Sequence, residues 1–347
     1  MSPGRRGHWS WPPTRGGSWP ASATTGPPSS VTDPPASDLD DDWAWIPSQV
    51  TVVGSDVHYP EEAPAREVST DGFWIQTHQV TNVQFAEFIS DTGYVTVAER
   101  PLNPADYPGA PPENLQPGSM VFRRTTGPVD LRHLNLWWRW TPGACWNHPR
   151  GPRSSLKNSD DHPVVHIAFE DAAAYADWAG FELPTEAQWE VAARGGLPHS
   201  TYSWGNDPEQ PGQRLANYWH GEFPYLPDTG YGRTARVGSF PANGYGLFDM
   251  AGNVWEWTVD WYKDTPDAGG CCAADSMDPR QPQFPVPRKV VKGGSFLCAD
   301  SYCMRYRPAA RRPQPIDTGM SHIGFRCVRR HQPTERIAME VKWAERS

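Results

Sequence analysis

Val290-Val291-Lys292-Gly293-Gly294-Ser295-Phe296-Leu297-Cys298-Ala299-Asp300-Ser301-Tyr302-Cys303-Met304-Arg305-Tyr306-Arg307 reads as a short strand that runs into a Gly-Gly turn and then into two thiols. The paired glycines permit a kink and a close approach of backbone to a ligand. Cys298 and Cys303 are five positions apart, which is not the C-x-x-C spacing of a zinc knuckle or a dithiol redox centre. Two thiolates alone form a soft, low-coordination donor set, better suited to Cu(I) than to zinc. Arg305, Arg307, Arg311 and Arg312 favour the thiolate forms if they lie close. On spacing alone, a structural disulfide or two buried thiols explains the same residues.

Outward from this stretch, three helices are marked. Thr81 and Gln84 form a capping box ahead of the apolar stripe Phe85, Phe88 and Ile89. An Ala-rich helix covers about 170–178 and stops at Gly180. A third starts at Thr185, with Gln188 as its box partner. It puts Trp189, Ala192 and Ala193 on one face and ends at Gly195-Gly196. Apolar runs at 73–77, 164–169, 290–292 and 324–328 predict strands. Loops punctuated by Gly, Pro and Trp lie between, with no repeat of fixed period.

The chain has 347 residues, with 38 Pro, 31 Gly and 18 Trp. The tryptophans imply a real core, while Pro and Gly, together about a fifth of the chain, break up long elements. One α+β domain, rich in loops and low in regular secondary structure, is expected over residues 43–332. Residues 1–42 are poor in aliphatics and end in an acidic run, which reads as a disordered tail; 333–347 form a C-terminal extension. A net charge of −9 disfavours nucleic acid as a partner. No apolar run approaches the ~20 residues of a membrane span, and no apolar region follows Arg5 and Arg6 as in a secretory signal. A cytoplasmic location is expected.

The run Gly293-Gly294-Ser295-x-x-Cys298-x-x-x-x-Cys303-x-Arg305-Tyr306-Arg307, closed by Gly324-Phe325-Arg326-Cys327, resembles the active-site signature of formylglycine-generating enzymes. Further stretches agree in order: Val80-Thr81-Asn82-x-x-Phe85, Trp146-x-His148-Pro149, His162-Pro163-Val164, Leu183-Pro184-Thr185-Glu186 and Gly252-Asn253-Val254-Trp255-Glu256-Trp257. The resemblance spans about residues 43–329. It implies a single domain related to C-type lectins, with Cys298 and Cys303 binding Cu(I). It implies a sulfatase polypeptide with a Cys-x-Pro-x-Arg core as substrate. The substrate thiol would join the metal, O2 would bind, and hydrogen would leave the substrate Cβ. Hydrolysis of the thioaldehyde then gives Cα-formylglycine, with a thiol reductant consumed.

The resemblance also implies two structural calcium ions. One would take Asp249 (Asn in many members), Gly252, Val254 and Glu256; the other Asn217, Tyr218, Asp228 and Tyr231. The chain is two residues shorter than many relatives between Phe223 and Val237. Ser295 is implied near the copper ligands, and Trp255, Arg305 and His322 near the substrate. His162 and His166 read as packed, hydrogen-bonded histidines. Both disulfides of secreted relatives are impossible, because Ala193 and Pro308 stand where those have cysteines. Cys145, Cys271 and Cys272 are left unassigned, and a monomer is implied. Two other classes compete: a non-catalytic binding module would lose a thiol or the Gly-Gly-Ser turn, and an iron-dependent sulfoxide synthase would need a His/His/carboxylate set.

Overall fold

The computed structural model describes residues 39–330 apart from 108, 266–271 and 283–284, all within one compact unit. The greater part of the expected tail (1–38), the C-terminal extension and Cys271 lie outside the described residues. The end of the expected tail is part of the fold: the Asp42 carbonyl accepts from the Thr77 amide at 2.7 Å.

In chain order, β1 (Trp43–Ile46), β2 (Gln49–Val53), β3 (Arg66–Thr70) and β4 (Phe73–Gln76) precede α1 (Asn82–Thr92). The hairpin β5 (Gly118–Phe122) and β6 (Trp138–Pro142) leads to α2 (Phe169–Ala179) and α3 (Glu186–Ala193). After the short pair β7 (Gly221–Glu222) and β8 (Leu226–Pro227) come β9 (Trp255–Trp261), β10 (Arg288–Lys292), β11 (Arg311–Pro315), β12 (Ile323–Gly324) and β13 (Val328–Arg330). The architecture is the expected α+β one, with three helices and short strands among loops.

Local chemistry sets the helix ends. The Thr81 side chain accepts from the Gln84 amide while the Gln84 side chain accepts from the Thr81 amide, and Thr185 and Gln188 repeat the arrangement. Gly180 ends α2 in the left-handed region, φ 73°, where a side chain would be strained.

Two strand expectations are corrected. Residues 164–169 form no strand: His166 turns the chain at φ 65°, and Phe169 already opens α2. The run is apolar because Val164, Ile167 and Ala168 are buried, and burial alone does not distinguish a strand from other buried backbone. The run 324–328 divides: β12 pairs in parallel with β9, whereas β13 pairs antiparallel with β4.

This division joins the two main sheets, ordered β11-β10-β9-β12 and β1-β4-β13. Arg326 sits at the crossing, fully buried. It grips Glu256 of β9 through Nε to Oε2 at 2.7 Å and Nη2 to Oε1 at 2.9 Å. The same carboxylate accepts from Trp189 Nε1 of α3 at 2.7 Å and from Gln79 Nε2 at 2.9 Å. Four segments thus meet on one buried carboxylate. Arg326→Met would strand that charge, a change that costs about 3–5 kcal/mol in buried pairs. Urea unfolding should show a loss of that order, and adding Glu256→Gln to Arg326→Met should recover part of it. A double variant no more stable than Arg326→Met alone would refute a charge-based role.

Candidate functional site

The thiol loop leaves β10 through Gly293 and Gly294, at φ 91° and 72°. A Cβ on Gly294 would lie 2.7 Å from the Arg305 carbonyl oxygen, so the second glycine lets the two ends of the loop touch. The Ser295 carbonyl accepts from the Cys298 amide at 2.9 Å, and the Ala299 carbonyl accepts from the amides of Tyr302 and Cys303. These turns bring Cys298 Sγ and Cys303 Sγ to 3.5 Å, both unoxidised, at 2% and 5% exposure. A structural disulfide is therefore absent here. Among the described residues, no group of three or more His, Cys, Asp and Glu gathers as a metal cage, which leaves a two-sulfur donor set of the kind that fits Cu(I).

The two sulfurs differ electrostatically. Burial pushes Cys298 well above the ordinary thiol value, and its neighbour Cys303 adds to the rise. Cys303 is lowered to about 6, chiefly by the hydrogen bond from Cys298, with help from Arg305 and Arg312. The pair thus shares one proton, and Cys298 donates to the Cys303 thiolate. Of the four arginines expected nearby, Arg305 contacts sulfur, with Nη1 3.9 Å from Cys303 Sγ. Arg307 and Arg311 are engaged by Glu62 and Glu186 in buried pairs, and Arg312 is exposed.

The segment that fixes Arg305 has no local signal in the sequence. Glu61 accepts from its Nε and Nη2 at 2.9 and 2.5 Å, and the Tyr59 ring lies 3.7 Å beneath its guanidinium. The Tyr59 hydroxyl also accepts from the Met304 amide of the loop at 3.1 Å. A Pro60-Glu61-Glu62 turn carries no local mark of a partner more than 240 positions away.

Other expected residues take these places. Ser295 is buried, and its Oγ accepts from the Leu297 amide at 3.2 Å, which shapes the turn before Cys298. Trp255 is buried in the same apolar cluster as both thiols. His322 is buried against Trp138, ring centroids 4.8 Å apart. Its Nδ1 has no partner among the described residues, and burial, then Arg312 and His166, hold it well below its ordinary value. His166 is packed as expected, with Nδ1 2.8 Å from Ser119 Oγ and Nε2 2.8 Å from the Pro149 carbonyl. His162 Nδ1 is 3.0 Å from Thr234 Oγ1. Cys145, Cys272 and Cys327 are free thiols.

The calcium donor sets fit unevenly. Asp249 Oδ1 and Asn217 Oδ1 are buried and without partners among the described residues, as suits oxygens awaiting a cation. Glu256, by contrast, is occupied by Arg326, Trp189 and Gln79. A guanidinium at 2.7 Å repels a dication, so the expectation for Glu256 does not fit this arrangement. Asp228 is exposed, and its carbonyl accepts from the Tyr231 amide at 3.1 Å. The backbone of Gly252 is bridged to that of Asn217. Val254 is fully buried, as is most of Tyr218, whose ring stacks on Tyr306 at 4.1 Å.

The one-proton pair has a spectroscopic consequence. Thiolate absorbance near 240 nm in the metal-free protein should show a first step, of one thiol's amplitude, at about pH 6, ahead of the remaining free thiols. Cys303→Ala should abolish that step and leave Cys298 titrating above the ordinary thiol range. Two equal steps near the ordinary value would contradict the asymmetry.

Residues 35–331 match the family described as "Sulfatase-modifying factor enzyme 1-like domain". The chain is 54% identical over 286 residues to the formylglycine-generating enzyme of Mycobacterium tuberculosis, covering 80% of this chain and 93% of that one. It is 40% identical over 300 residues to the enzyme of that name from Mus musculus, covering 83% and 75%. Among solved structures, PvdO from Pseudomonas aeruginosa shares the fold, with a TM-score of 0.55, 21% identity, and coverage of 83% and 94%. With its thiol loop, capping boxes and two-sheet frame in place, the chain belongs to the sulfatase-modifying factor enzyme 1-like family.

Proposed function

We propose that this protein is a formylglycine-generating oxidase, converting the cysteine of a Cys-x-Pro-x-Arg segment of a sulfatase to Cα-formylglycine with Cu(I), O2 and a thiol reductant. The observation that carries the reading is the buried, unoxidised pair Cys298 and Cys303, 3.5 Å apart. The overall change balances as substrate CH2–SH plus O2 plus two thiols giving CHO, H2S, water and one disulfide. O2 takes four electrons, two from the substrate carbon and two from the thiols.

Cys298 and Cys303 would hold copper, which when bound supplies the one-electron chemistry with O2 that protein side chains lack. A two-sulfur set leaves room for the substrate sulfur. To hold copper, Cys298 would give up the proton it shares with Cys303. Arg305, fixed by Glu61 and Tyr59, keeps positive charge beside the anionic sulfurs, and burial keeps water from them. Asp249 and Asn217 would each hold a calcium ion, with carbonyls of Gly252 and Val254 at the first and of Tyr218 and Tyr231, beside Asp228, at the second. His322 and Trp255 would act from behind the substrate cleft. A cytoplasmic monomer accords with the free Cys145, Cys272 and Cys327. No helix among the described residues is long and apolar enough to cross a membrane.

Mass spectrometry of a Cys-x-Pro-x-Arg peptide incubated with Cu(I)-loaded protein, O2 and reductant tests the reading. Conversion of CH2–SH to CHO should occur, and should be lost without copper and in Cys298→Ala and Cys303→Ala. Absence of copper binding by the wild-type protein would leave a non-catalytic binding module as the better reading. Added Ca2+ should raise the unfolding midpoint of wild type and do so less in Asp249→Ala; an identical rise in both would remove Asp249 from the calcium site.

A further inference from the structure

A cavity of about 440 Å³ adjoins the thiol loop, which contributes Phe296 to its wall beside Val121 and Phe122 of β5. Arg150, Lys157 and Arg233 converge on it, all three exposed, and no Asp or Glu lines it. Asp160 and Asp161 are its nearest acids in sequence; Asp161 is paired with Arg236. No carboxylate among the described residues pairs with the three cations.

Their setting is unusual for this chain. Residues 118–159 contain six Arg and one Lys against a single Asp, while the whole chain carries −9. Within that stretch Asp130 is taken by Arg132. Burial, and then the charge of Arg233, hold His162 on the cavity wall below its ordinary value, a second sign of a positive field there. Like charges gathered on a concave, partly apolar wall repel one another and focus their field on whatever enters. An anion relieves the repulsion. A long polyanion would also meet the net negative charge of the rest of the chain, so a short acidic segment suits the cavity better.

The position relative to the thiols limits what that segment can be. Phe296 and Cys298 are two residues apart, at most about 7 Å between their Cα atoms, so the loop that carries the thiols also builds one wall of the cavity. We propose that this cavity binds an Asp or Glu of the target polypeptide in the segment flanking the oxidised cysteine, and so selects acidic flanks. The inference rests on the oxidase reading above.

The test uses three peptides with the same Cys-x-Pro-x-Arg core and Asp/Glu, Ser/Gly or Lys flanks, compared by kcat/KM with the copper-loaded protein. Acidic flanks should be preferred over neutral ones by about five- to tenfold at low salt, the sum of three exposed charge contacts, mostly through KM. The preference should shrink at 0.5 M NaCl, about the range over which surface charges are screened. It should invert, to below one, in the Arg150→Glu/Lys157→Glu/Arg233→Glu variant, whose folding is checked by an unchanged unfolding curve and pH 6 thiolate step. Equal use of all three peptides, or a preference that survives charge reversal, overturns the proposal while leaving the oxidase reading intact. If no peptide is converted, the oxidase reading fails first. Fluorescence anisotropy of the labelled peptides on the metal-free protein then decides: acid-selective binding lost in the variant supports the cavity's role, and unselective binding overturns it.

Discussion

The carboxylate of Glu256, fully buried, is the constraint on which the arrangement of loops depends. A chain so interrupted by Pro and Gly cannot be held by long ladders, and its two main sheets share few direct contacts. One side chain with several acceptor sites therefore does the joining. Arg326 supplies a planar fork whose remaining donors reach the carbonyls of Gln76 and Phe248, so its geometry is fixed on three sides. Ionised, the carboxylate would be unstable there without that fork. The same fact bears on the proposed cation site: the Glu256 carboxylate is already engaged, while Asp249 Oδ1 and Asn217 Oδ1 are buried without partners among the described residues.

A second pair of charges sets the thiol loop. Glu61 and Glu62 are adjacent in sequence, and Arg305 and Arg307 are two apart, so one short turn meets alternate residues of the loop. Arg307 and Glu62, 1% and 0% exposed, form the anchor. Arg305 and Glu61 are more open and place charge next to sulfur. The anchor can be rigid because it touches no reacting atom. The outer pair stands at 3.9 Å from Cys303, close enough to favour a thiolate without covering it.

How much of this was legible follows from distance along the chain. The capping boxes at Thr81 and Thr185 and the glycine stop at Gly180 are chemistry within one turn, and the helices begin and end where those residues require. The Gly-Gly-Ser turn and the thiol spacing were legible for the same reason. Residues 164–169 were misread because an apolar run records burial, while the positive φ of His166 has no mark in a non-glycine residue. The partners of Glu256, Glu61 and Glu62 were not legible, since nothing local distinguishes a carboxylate destined for a buried fork from one facing water. The identity of Arg305 as the sulfur contact, among four candidates, needed the alternation of β11 and the loop, which sends Arg311 inward and Arg312 outward.

These charges follow one logic. Two cysteines brought to 3.5 Å and removed from water resist double ionisation, and the rise at Cys298 measures that resistance. Positive charge nearby lowers the cost of creating the anionic sulfurs, and Arg305 provides it locally. An acidic chain with a net charge of −9 would otherwise repel an incoming thiolate and any carboxylate beside it. Arg150, Lys157 and Arg233, on the wall that shares Phe296 with the thiol loop, reverse the local sign where the proposed acidic segment would enter. The overall acidity keeps that field local, because the chain as a whole carries −9.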